Sequence, residues 1–411
     1  MFELSLDNYS LKIKSALESS VSYNDIFYIQ NKLIHLNRLC WLSGGAVRDL
    51  MIGLEPFDFD LTTDATEDEI LACFPNAILV GRQFGVYKIP LNQSIYDLTV
   101  FREETDYTDG RRPNQVIRST PEKDALRRDF TVNALFYDLK NELVIDYVNG
   151  LGDLRSQLLK CVGNAFDRFN EDYLRLLRFS RFKHQLNFSV SLEDYEVALG
   201  LAHLAHHISG ERISSEISKL KIPEQRKNFY SDQLTIGILQ HNKIFLQLNN
   251  LDEIKFSSFN LSDLWVFEIF FLTGINENHL NAIVSTFKVS NKIKNSFNLL
   301  MKLVMLHQQN IEHKIKHHQS ILALDGKDQS GFILDLMYYF SYINRIELQS
   351  LTDAMKKFLR PLITAKDIMH IKDKTKISEL LKQARAWQIE NSSEDFQACY
   401  DYIISKYRIL F

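Results

Sequence analysis

The sequence contains little glycine and proline, and its four cysteines are scattered along the chain. Its 411 residues include only 15 Gly and 7 Pro, which argues against a loop-rich or all-β chain and favours helices. No two cysteines stand in a CxxC arrangement, which would indicate a zinc or redox site. We therefore predict reduced, buried thiols in an intracellular protein, at Cys40, Cys73, Cys161 and Cys399.

Long hydrophobic runs are also missing. The N-terminal segment MFELSLDNYSLKIKSALESS has no basic start followed by an apolar run, so we do not expect it to be a secretory signal. The most apolar segment, LWVFEIFFLTGI at 264–275, is too short to span a bilayer and contains Glu268. The net charge is −4, so any polyanion has to bind a local basic face. These features predict a soluble, cytoplasmic protein of about two to four domains.

Strand-like runs are confined to the N-terminal part of the chain. Up to about residue 150, runs such as AILVG and GVYKIPL alternate with helical patterns, which is typical of an α+β domain with a small mixed sheet. From Gly152 onwards, apolar residues recur at three- and four-residue spacing, as in KISELLKQARAW. The sequence therefore predicts an α+β fold with a mixed N-terminal domain and an all-helical remainder.

Two aspartates separated by one residue lie in the run FDFDLTT at 57–63. If this run is a strand, Asp58 and Asp60 share one face, with Phe57, Phe59 and Leu61 on the other. Carboxylates this close repel each other unless a cation lies between them. Mg²⁺ is bound through one or two carboxylates plus substrate phosphates, so it fits this pair.

Asp97, in the alternating run SIYDLTVFR, is a candidate third acid for the same catalytic site as Asp58 and Asp60. A solvated edge strand without catalytic function is the alternative interpretation of a bare DxD pattern. The residues on either side of the pattern distinguish a metal site from a solvated edge strand.

The preceding run GGAVRD is suited to a phosphate. Gly44 and Gly45 let the backbone approach a ligand closely, and the amides at the start of the following helix would face an anion. Arg48 in the first turn adds a fixed positive charge. Its alternative role is an ion pair with Asp49 or Asp64.

A pair of arginines, Arg127 and Arg128, precedes Asp129 and the apolar run FTVNALFYD. Two guanidinium groups at the end of a strand or helix can bind a triphosphate. A solvated basic corner of the protein is the alternative.

The segment RFNEDYLRLLRFSRF predicts a helix with charged side chains at three-residue spacing. Asp172, Arg175 and Arg178 share a broad face, and Arg181 continues the row. A carboxylate accepts from the amino group of cytosine or adenine, while a guanidinium donates to the adjacent ring acceptor. An Asp–Arg pair can thus accept CTP and ATP and reject UTP and GTP. A salt-bridged surface stripe is the alternative.

Together these stretches resemble the class II tRNA nucleotidyltransferase and bacterial poly(A) polymerase family, within the DNA polymerase β-like nucleotidyltransferase superfamily. GGAVRD…DFDLTTDA resembles the family's metal motif, RRDFTVNAL its second motif and EDYLR its base-selecting motif. DYVNGLGDL is similar to the head–neck connection, GERISSEISKL to the helix that supports base selection, and PLITAKDIMHI to the tail.

The resemblance implies a seahorse-shaped protein in four parts. These are a nucleotidyltransferase head at 1–150, a helical neck with the base-selecting motif at 151–222, a helical body at 223–345 and an RNA-binding helical tail at 346–411. It also implies that Asp58 and Asp60 bind Mg²⁺ for two-metal catalysis. The nucleotide-binding residues that it implies are Gly44, Gly45, Arg48, Arg127, Arg128, Asp172, Arg175, Arg178 and Arg181.

CCA addition to the 3′ end of tRNA, from CTP and ATP, is the preferred function within the family. The segment FREETDYTDGRRPNQV resembles the intact flexible loop that the family associates with the switch from C to A. Poly(A) polymerase, CC-only addition, A-only addition and a non-catalytic RNA-binding relative remain as alternatives. Residues 281–320 carry six lysines against a single acid, which suits contact with RNA phosphates, at Lys288, Lys292, Lys294, Lys302, Lys314 and Lys316.

Overall fold

The structure is a computed structural model of the chain. It describes residues 2–4, 8–80, 85–107, 110–111, 113–248, 251, 254, 264–308, 337, 349, 361–368, 374–391 and 395–409. Two compact units are present, residues 1–243 and 244–411. The finer division into four parts, at 1–150, 151–222, 223–345 and 346–411, stays a prediction.

The first unit is built on an eight-stranded mixed sheet, in the order β1-β10-β9-β2-β3-β6-β5-β4. The strands are β1 Phe2–Leu4, β2 Cys40–Ser43, β3 Asp60–Thr63, β4 Ile78–Val80, β5 Val86–Leu91, β6 Ser94–Val100, β9 Phe136–Asp138 and β10 Leu143–Asp146. Strands β7 Arg102–Tyr107 and β8 Pro113–Arg118 form a separate hairpin. All neighbours in the large sheet are antiparallel except β3 and β6. The predicted α+β class with a mixed sheet is confirmed.

Helices surround this sheet and continue along the first unit. They are α1 Asn8–Glu18, α2 Tyr23–Ile34, α3 Gly45–Ile52, α4 Glu67–Cys73, α5 Pro121–Leu126, α6 Gly150–Arg155, α7 Ala165–Glu171, α8 Leu174–Leu186, α9 Leu192–Leu201, α10 Gly210–Ile217, α11 Pro223–Ser231 and α12 Gln233–His241. Two 3₁₀ helices lie at Thr131–Asn133 and Ala202–His207. The helical region also holds two paired two-residue strands that the sequence does not signal, β11 Leu158–Leu159 and β12 Ser189–Val190.

The centre of the sheet is covered on both faces. On β3, Leu61, Thr62 and Thr63 are all buried, so the strand lacks the polar face of an edge strand. Beside it, the rings of Trp41, Phe101 and Phe136 pack with centroids 5.6 to 6.0 Å apart. Such aromatic clusters stabilise a fold through area and ring geometry. The strand that begins at Asp60 is therefore held in place by a well-packed core.

The second unit is helical in its described residues. Its helices are α13 Leu264–Leu272, α14 Glu277–Phe287, α15 Asn291–Gln308, α16 Lys374–Glu390 and α17 Phe396–Ile409. Helix α13 is buried along its whole length, and Phe267 and Phe270 pack on Phe297 of α15 with centroids 4.5 and 4.7 Å away. Within the described ranges, no helix is long and apolar enough to cross a membrane.

The cysteines are unpaired, as the sequence predicts. Cys40, Cys161 and Cys399 are buried, whereas Cys73 at the end of α4 is only partly buried. Burial raises the pKa of the Cys40 and Cys161 thiols, which makes them poor nucleophiles. The expectation of burial was wrong for Cys73, because α4 contributes only Ile70 to the core.

Candidate active site

The parallel pairing of β3 with β6 brings two of the predicted acids together. In this register Asp60 lies opposite Asp97, on neighbouring strands. Side chains opposite each other on neighbouring strands are close enough to interact. The sheet therefore places Asp97 beside Asp60.

Asp58 lies outside the strand, which corrects the prediction that all of FDFDLTT is extended. Strand β3 begins at Asp60, opposite Ser43, the last residue of β2. Beyond Ser43 the β2 chain turns at Gly44 into α3, so β2 offers no partner to residues 57–59. Phe57 is accordingly 94% exposed instead of facing the core.

Asp58 and Asp97 both act electrostatically on Asp60. Partial withdrawal from solvent raises the pKa of Asp60 to about 6, and the nearby charges of Asp58 and Asp97 add to this effect. The cations Arg128 and Lys88 act in the opposite direction. Negative charges thus outweigh positive ones around Asp60, which is the electrostatic setting of a cation site.

The acids differ in their partners. Asp97 is paired with Lys88, whose Nζ lies 2.7 Å from Oδ1. Asp58 and Asp60 have no side-chain hydrogen bond or ion pair with any of the residues that the structure describes. Their free oxygens suit a hard divalent cation, with the remaining ligands coming from water and substrate phosphates. The described residues contain no group of three His, Cys, Asp or Glu side chains placed to bind a metal.

The glycine turn before α3 borders this site. Gly44 has φ 71° and ψ −131°, a backbone conformation that favours glycine. A Cβ atom at Gly44 would lie 2.9 Å from Nη1 of Arg128, and one at Gly45 would lie 3.6 Å from Nη2 of Arg48. The turn thus leaves room for two guanidinium groups beside the start of α3.

Arg48 is buried, and its guanidinium group is hydrogen-bonded to two side chains. Its Nε lies 2.8 Å from Oδ1 of Asp49, and its Nη1 donates to Oδ1 of Asn133. The alternative of an ion pair with Asp49 is therefore the observed arrangement. Asp64, the other partner considered, instead accepts from the backbone amide of Leu39.

The arginine pair is held by one fully buried carboxylate that sequence reasoning missed. Asp124 Oδ1 accepts from Arg127 Nη2 at 2.6 Å, and Asp124 Oδ2 accepts from Arg128 Nη2 at 3.0 Å. Arg127 also donates to Glu104 on β7. Arg128 lies over the ring of Phe136, 4.8 Å from its centroid. The pair is thus part of a buried network, not a solvated corner.

Arg178 and Arg181 of α8 meet acids from two other elements. Arg178 binds Asp129, and Arg181 Nε donates to Glu216 Oε2 at 2.6 Å. Burial would raise the pKa of both acids, but the facing guanidinium groups prevail and lower each pKa to about 2. Burial also lowers the pKa of Arg181 to about 10.

Three guanidinium groups converge on the ring of Phe182, at 4.9 Å for Arg48, 5.2 Å for Arg178 and 3.7 Å for Arg181. Cations over an aromatic face are attracted by the ring quadrupole. Phe182 thus links α3 to α8. The stripe on α8 is a buried network and not an exposed salt-bridged surface.

The predicted pairing of Asp172 with Arg175 is not formed by their side chains. Asp172 lies between α7 and α8, and its Oδ1 accepts from the amide of Leu174 at 3.1 Å. This local bond ends one helix and starts the next, so Asp172 does not share a helix face with Arg175. Its carboxylate instead binds Arg212 of α10.

Arg175 is buried and makes three other hydrogen bonds. Nη1 donates to Glu171 Oε2 at 2.5 Å and to the carbonyl of Arg168 at 3.0 Å. Nη2 donates to the carbonyl of Arg127 at 2.9 Å. Arg175 therefore ties the segment around Asp172 to the arginine pair.

The segment FREETDYTDGRRPNQV, interpreted as a flexible loop, contains β7 and the first residues of β8. At its tip Gly110 accepts from the amide of Tyr173 at 2.9 Å. A Cβ atom at Gly110 would lie 2.0 Å from the Tyr173 ring, so only glycine fits there. The hairpin tip thus contacts Tyr173, the residue that follows Asp172 in the sequence.

The comparisons with known proteins concern the family to which the chain belongs. Residues 40–160 match the family model of the poly A polymerase head domain. A CCA-adding enzyme of Staphylococcus saprophyticus is 33% identical over 317 residues, which covers 75% of each chain. One of Lactobacillus delbrueckii is 32% identical over 310 residues, covering 71% of this chain and 77% of the relative.

The chain belongs to the CCA-adding enzyme family. Its alignment with the Staphylococcus haemolyticus member is 34% identical and spans 64% of each chain. The fold is similar to that of the Bacillus stearothermophilus CCA-adding enzyme in complex with CTP, with a TM-score of 0.78 and 21% identity over 95% of this chain and 98% of that one. Membership of this family confirms the resemblance inferred from the motifs. The chain is therefore a nucleotidyltransferase.

Four residues of the candidate site were not singled out from the sequence. Asp124 precedes Arg127 and Arg128 by three and four residues, a helical spacing that could have revealed it. Asn133 lies in RRDFTVNAL and Arg212 in GERISSEISKL, but their partners could not be inferred because these are distant in sequence. Glu216 lies in GERISSEISKL, which was noted only as a supporting helix.

Proposed function

We propose that this chain adds C and A to the 3′ end of tRNA without a nucleic-acid template. CCA-adding enzymes are its curated relatives, and the Thermotoga maritima structure that shares its fold is complexed with tRNA_CCA. The observation that carries the proposal is the pair of carboxylates, Asp58 and Asp60, which lie beside the glycine turn and Arg128 and bind no other side chain in the described part of the chain.

Asp58 and Asp60 would hold Mg²⁺ at the start of β3. When bound, the metal lowers the pKa of the RNA 3′-hydroxyl and stabilises the charge on the phosphates. Asp97 contributes negative charge beside Asp60 while paired with Lys88. Its role is thus electrostatic support for the two ligands.

The triphosphate would bind at the Gly44 turn. Arg128 lies against this turn and acts electrostatically on Asp60, so its guanidinium would attract the phosphates of the nucleotide. Gly45 begins α3, whose first amides face an anion. Arg48 and Arg127 are held by Asp49 and Asp124 and orient this edge of the site.

Base selection would use Asp172, supported by the buried network of Arg175, Arg178 and Arg181. The ionised carboxylate accepts from the amino group that cytosine and adenine share and that uracil lacks. Arg175 fixes the surrounding backbone. The α8 arginines lock α10 through Glu216.

RNA phosphates would contact the basic face of the second unit. Lys288, Lys292, Lys294 and Lys302 are exposed on α15 and the turn before it. Lysines of this kind contribute salt-dependent binding to RNA. Lys314 and Lys316, also predicted for this role, lie outside the described residues.

The test incubates purified protein and Mg²⁺ with tRNA that lacks its CCA end, supplied with CTP, ATP or both. We expect two added nucleotides with CTP alone and three with both, resolved by product length. Polyadenylation is the second candidate, since the head matches the poly A polymerase family model. It predicts a long ladder with ATP alone on any RNA, and that result would contradict CCA addition.

A further inference from the structure

We infer that Lys88 is a positioning residue of the metal site, because it pairs with Asp97 and so keeps this acid from becoming a third carboxylate ligand of the metal. The inference rests on the function proposed above, in which Asp58 and Asp60 hold Mg²⁺. It concerns how strongly the protein alone binds a divalent cation, before a nucleotide arrives.

The sheet aligns three charged side chains on neighbouring strands. Asp60 of β3 lies opposite Asp97 of β6, and Asp97 lies opposite Lys88 of β5. Residues directly opposite each other on neighbouring strands point to the same face of a sheet. With strands about 4.8 Å apart, the order across the sheet is carboxylate, carboxylate and ammonium. Asp97 therefore lies between the proposed metal position at Asp60 and the cation of Lys88.

Lys88 and Asp97 lie on the solvent-facing side of their strands. Tyr87 and Ile89, the neighbours of Lys88 in β5, are each only 2% exposed, and side chains alternate along a strand. The side chains of Lys88 and Asp97 are accordingly 40% and 35% exposed. A solvated ion could reach Asp97 on this side, but the residue that binds it is Lys88 of the protein itself.

Lys88 occupies one oxygen of Asp97. Its Nζ lies 2.7 Å from Oδ1, in a charge-assisted hydrogen bond. A divalent cation at Oδ1 would have to displace the ammonium group, because the two cations would repel each other at this distance. Lys88 and Asp97 also influence Asp60 electrostatically, with opposite signs. The ion pair therefore denies the metal both an oxygen ligand and a negative charge.

The consequence is a site that binds a metal weakly until the nucleotide is present. Mg²⁺ is usually bound through one or two carboxylates and completes its ligand shell with water and substrate phosphates. A third carboxylate would strengthen binding in the absence of nucleotide, because the charge of the ligands tunes the affinity. By neutralising Asp97, Lys88 leaves Asp58 and Asp60, whose two charges balance one divalent cation.

The experiment measures the dissociation constant of Mn²⁺ from the electron paramagnetic resonance signal of the free ion, for the full chain without nucleotide or RNA. We expect Lys88→Met to bind Mn²⁺ more tightly than wild type, on the order of 10-fold, since Asp97 becomes available as a ligand. Lys88→Arg keeps the ion pair and should bind Mn²⁺ like wild type.

A double-variant cycle separates a new ligand from a mere change of charge. In an Asp97→Asn background, Lys88→Met removes a charge but frees no carboxylate, so its effect should shrink to about 3-fold or less. Asp60→Ala added to Lys88→Met should abolish the gain in affinity, because the ion binds at the start of β3. Thermal melting checks the fold, which should be retained because an exposed ion pair contributes about 1 kcal/mol or less.

Lys14→Met is the matched control. Lys14 of α1 pairs with Glu142 at 2.6 Å, and the two side chains are 41% and 36% exposed, almost as in the Lys88–Asp97 pair. This pair includes none of the acids of the candidate site. Lys14→Met should therefore leave the Mn²⁺ affinity at the wild-type value.

Three results would overturn the inference. They are a wild-type or undetectable Mn²⁺ affinity in folded Lys88→Met, an equal gain with and without Asp97, and a gain that survives Asp60→Ala. Each of them leaves CCA addition by the wild type intact. A wild type that adds neither C nor A would instead contradict the proposed function itself.

Discussion

Asp129 and Arg178 join the end of the arginine motif to α8 through one carboxylate oxygen. Asp129 Oδ2 accepts from Arg178 Nε at 2.8 Å and lies 2.6 Å from its Nη2, across 49 residues of sequence. The other oxygen accepts from Asn133 at 3.2 Å, and Asn133 in turn accepts from Arg48. A single carboxylate thus couples the glycine-turn helix to the base-selecting region.

Loss of this carboxylate should destabilise the protein. Asp129→Asn would leave Glu216, 3.6 Å away, as the remaining ion-pair partner of Arg178 among the described residues. Breaking a mostly buried ion pair lowers the free energy of unfolding by about 3 kcal/mol. Chemical unfolding measures this as a lower midpoint at unchanged slope. Glu69→Gln, which breaks the more exposed pair with Arg38, is the control and should cost clearly less. Equal losses would contradict the coupling role of Asp129.

Acid should weaken the fold through Glu216. Its folded pKa of about 2 lies below the ordinary value of the free side chain. The stabilisation is therefore complete above about pH 4.5 and is lost as the pH falls towards 2. We expect Glu216→Gln to be less stable at pH 7 and to have a flatter dependence of melting temperature on pH between 5 and 3. The exposed Glu193 on α9 is the control, and Glu193→Gln should keep the wild-type slope. An unchanged slope in Glu216→Gln would refute the assignment.

A side chain at Gly44 should weaken nucleotide binding more than folding. The new Cβ would meet the flexible end of Arg128, so the guanidinium moves and the backbone stays. With one charge-assisted bond to the triphosphate lost, KM for CTP should rise about 10-fold. Gly53→Ala is the control, because Gly53 also has positive φ but open space around it. Gly44→Ala carries the larger backbone strain, because Gly44 has ψ −131° whereas Gly53 lies in the αL region, so KM is compared between folded variants. An equal KM in the two would argue against Arg128 as a phosphate ligand.

The sequence predicts the elements of the site better than their pairings. Asp60 could be placed on a strand from its neighbours, because β-branched and apolar residues follow it in alternation. The partner of Asp172 could not be predicted, since Arg212 reaches it from a helix 40 residues away. Asp58 was assigned to the strand because FDFDLTT alternates, whereas pairing depends on how far β2 extends before Gly44. Register between distant strands also brought Asp97 to Asp60, and only tertiary structure fixes that.

The central claim is that Asp58 and Asp60 hold the metal that activates the RNA 3′-hydroxyl. It is tested most directly by single-turnover addition of C to tRNA lacking CCA, at saturating Mg²⁺, with Asp58→Ala and Asp60→Ala. The account predicts that each variant melts like wild type, because neither side chain has a described hydrogen-bond partner, and that its rate falls by on the order of 10³-fold or more. Wild-type turnover in either folded variant would contradict it.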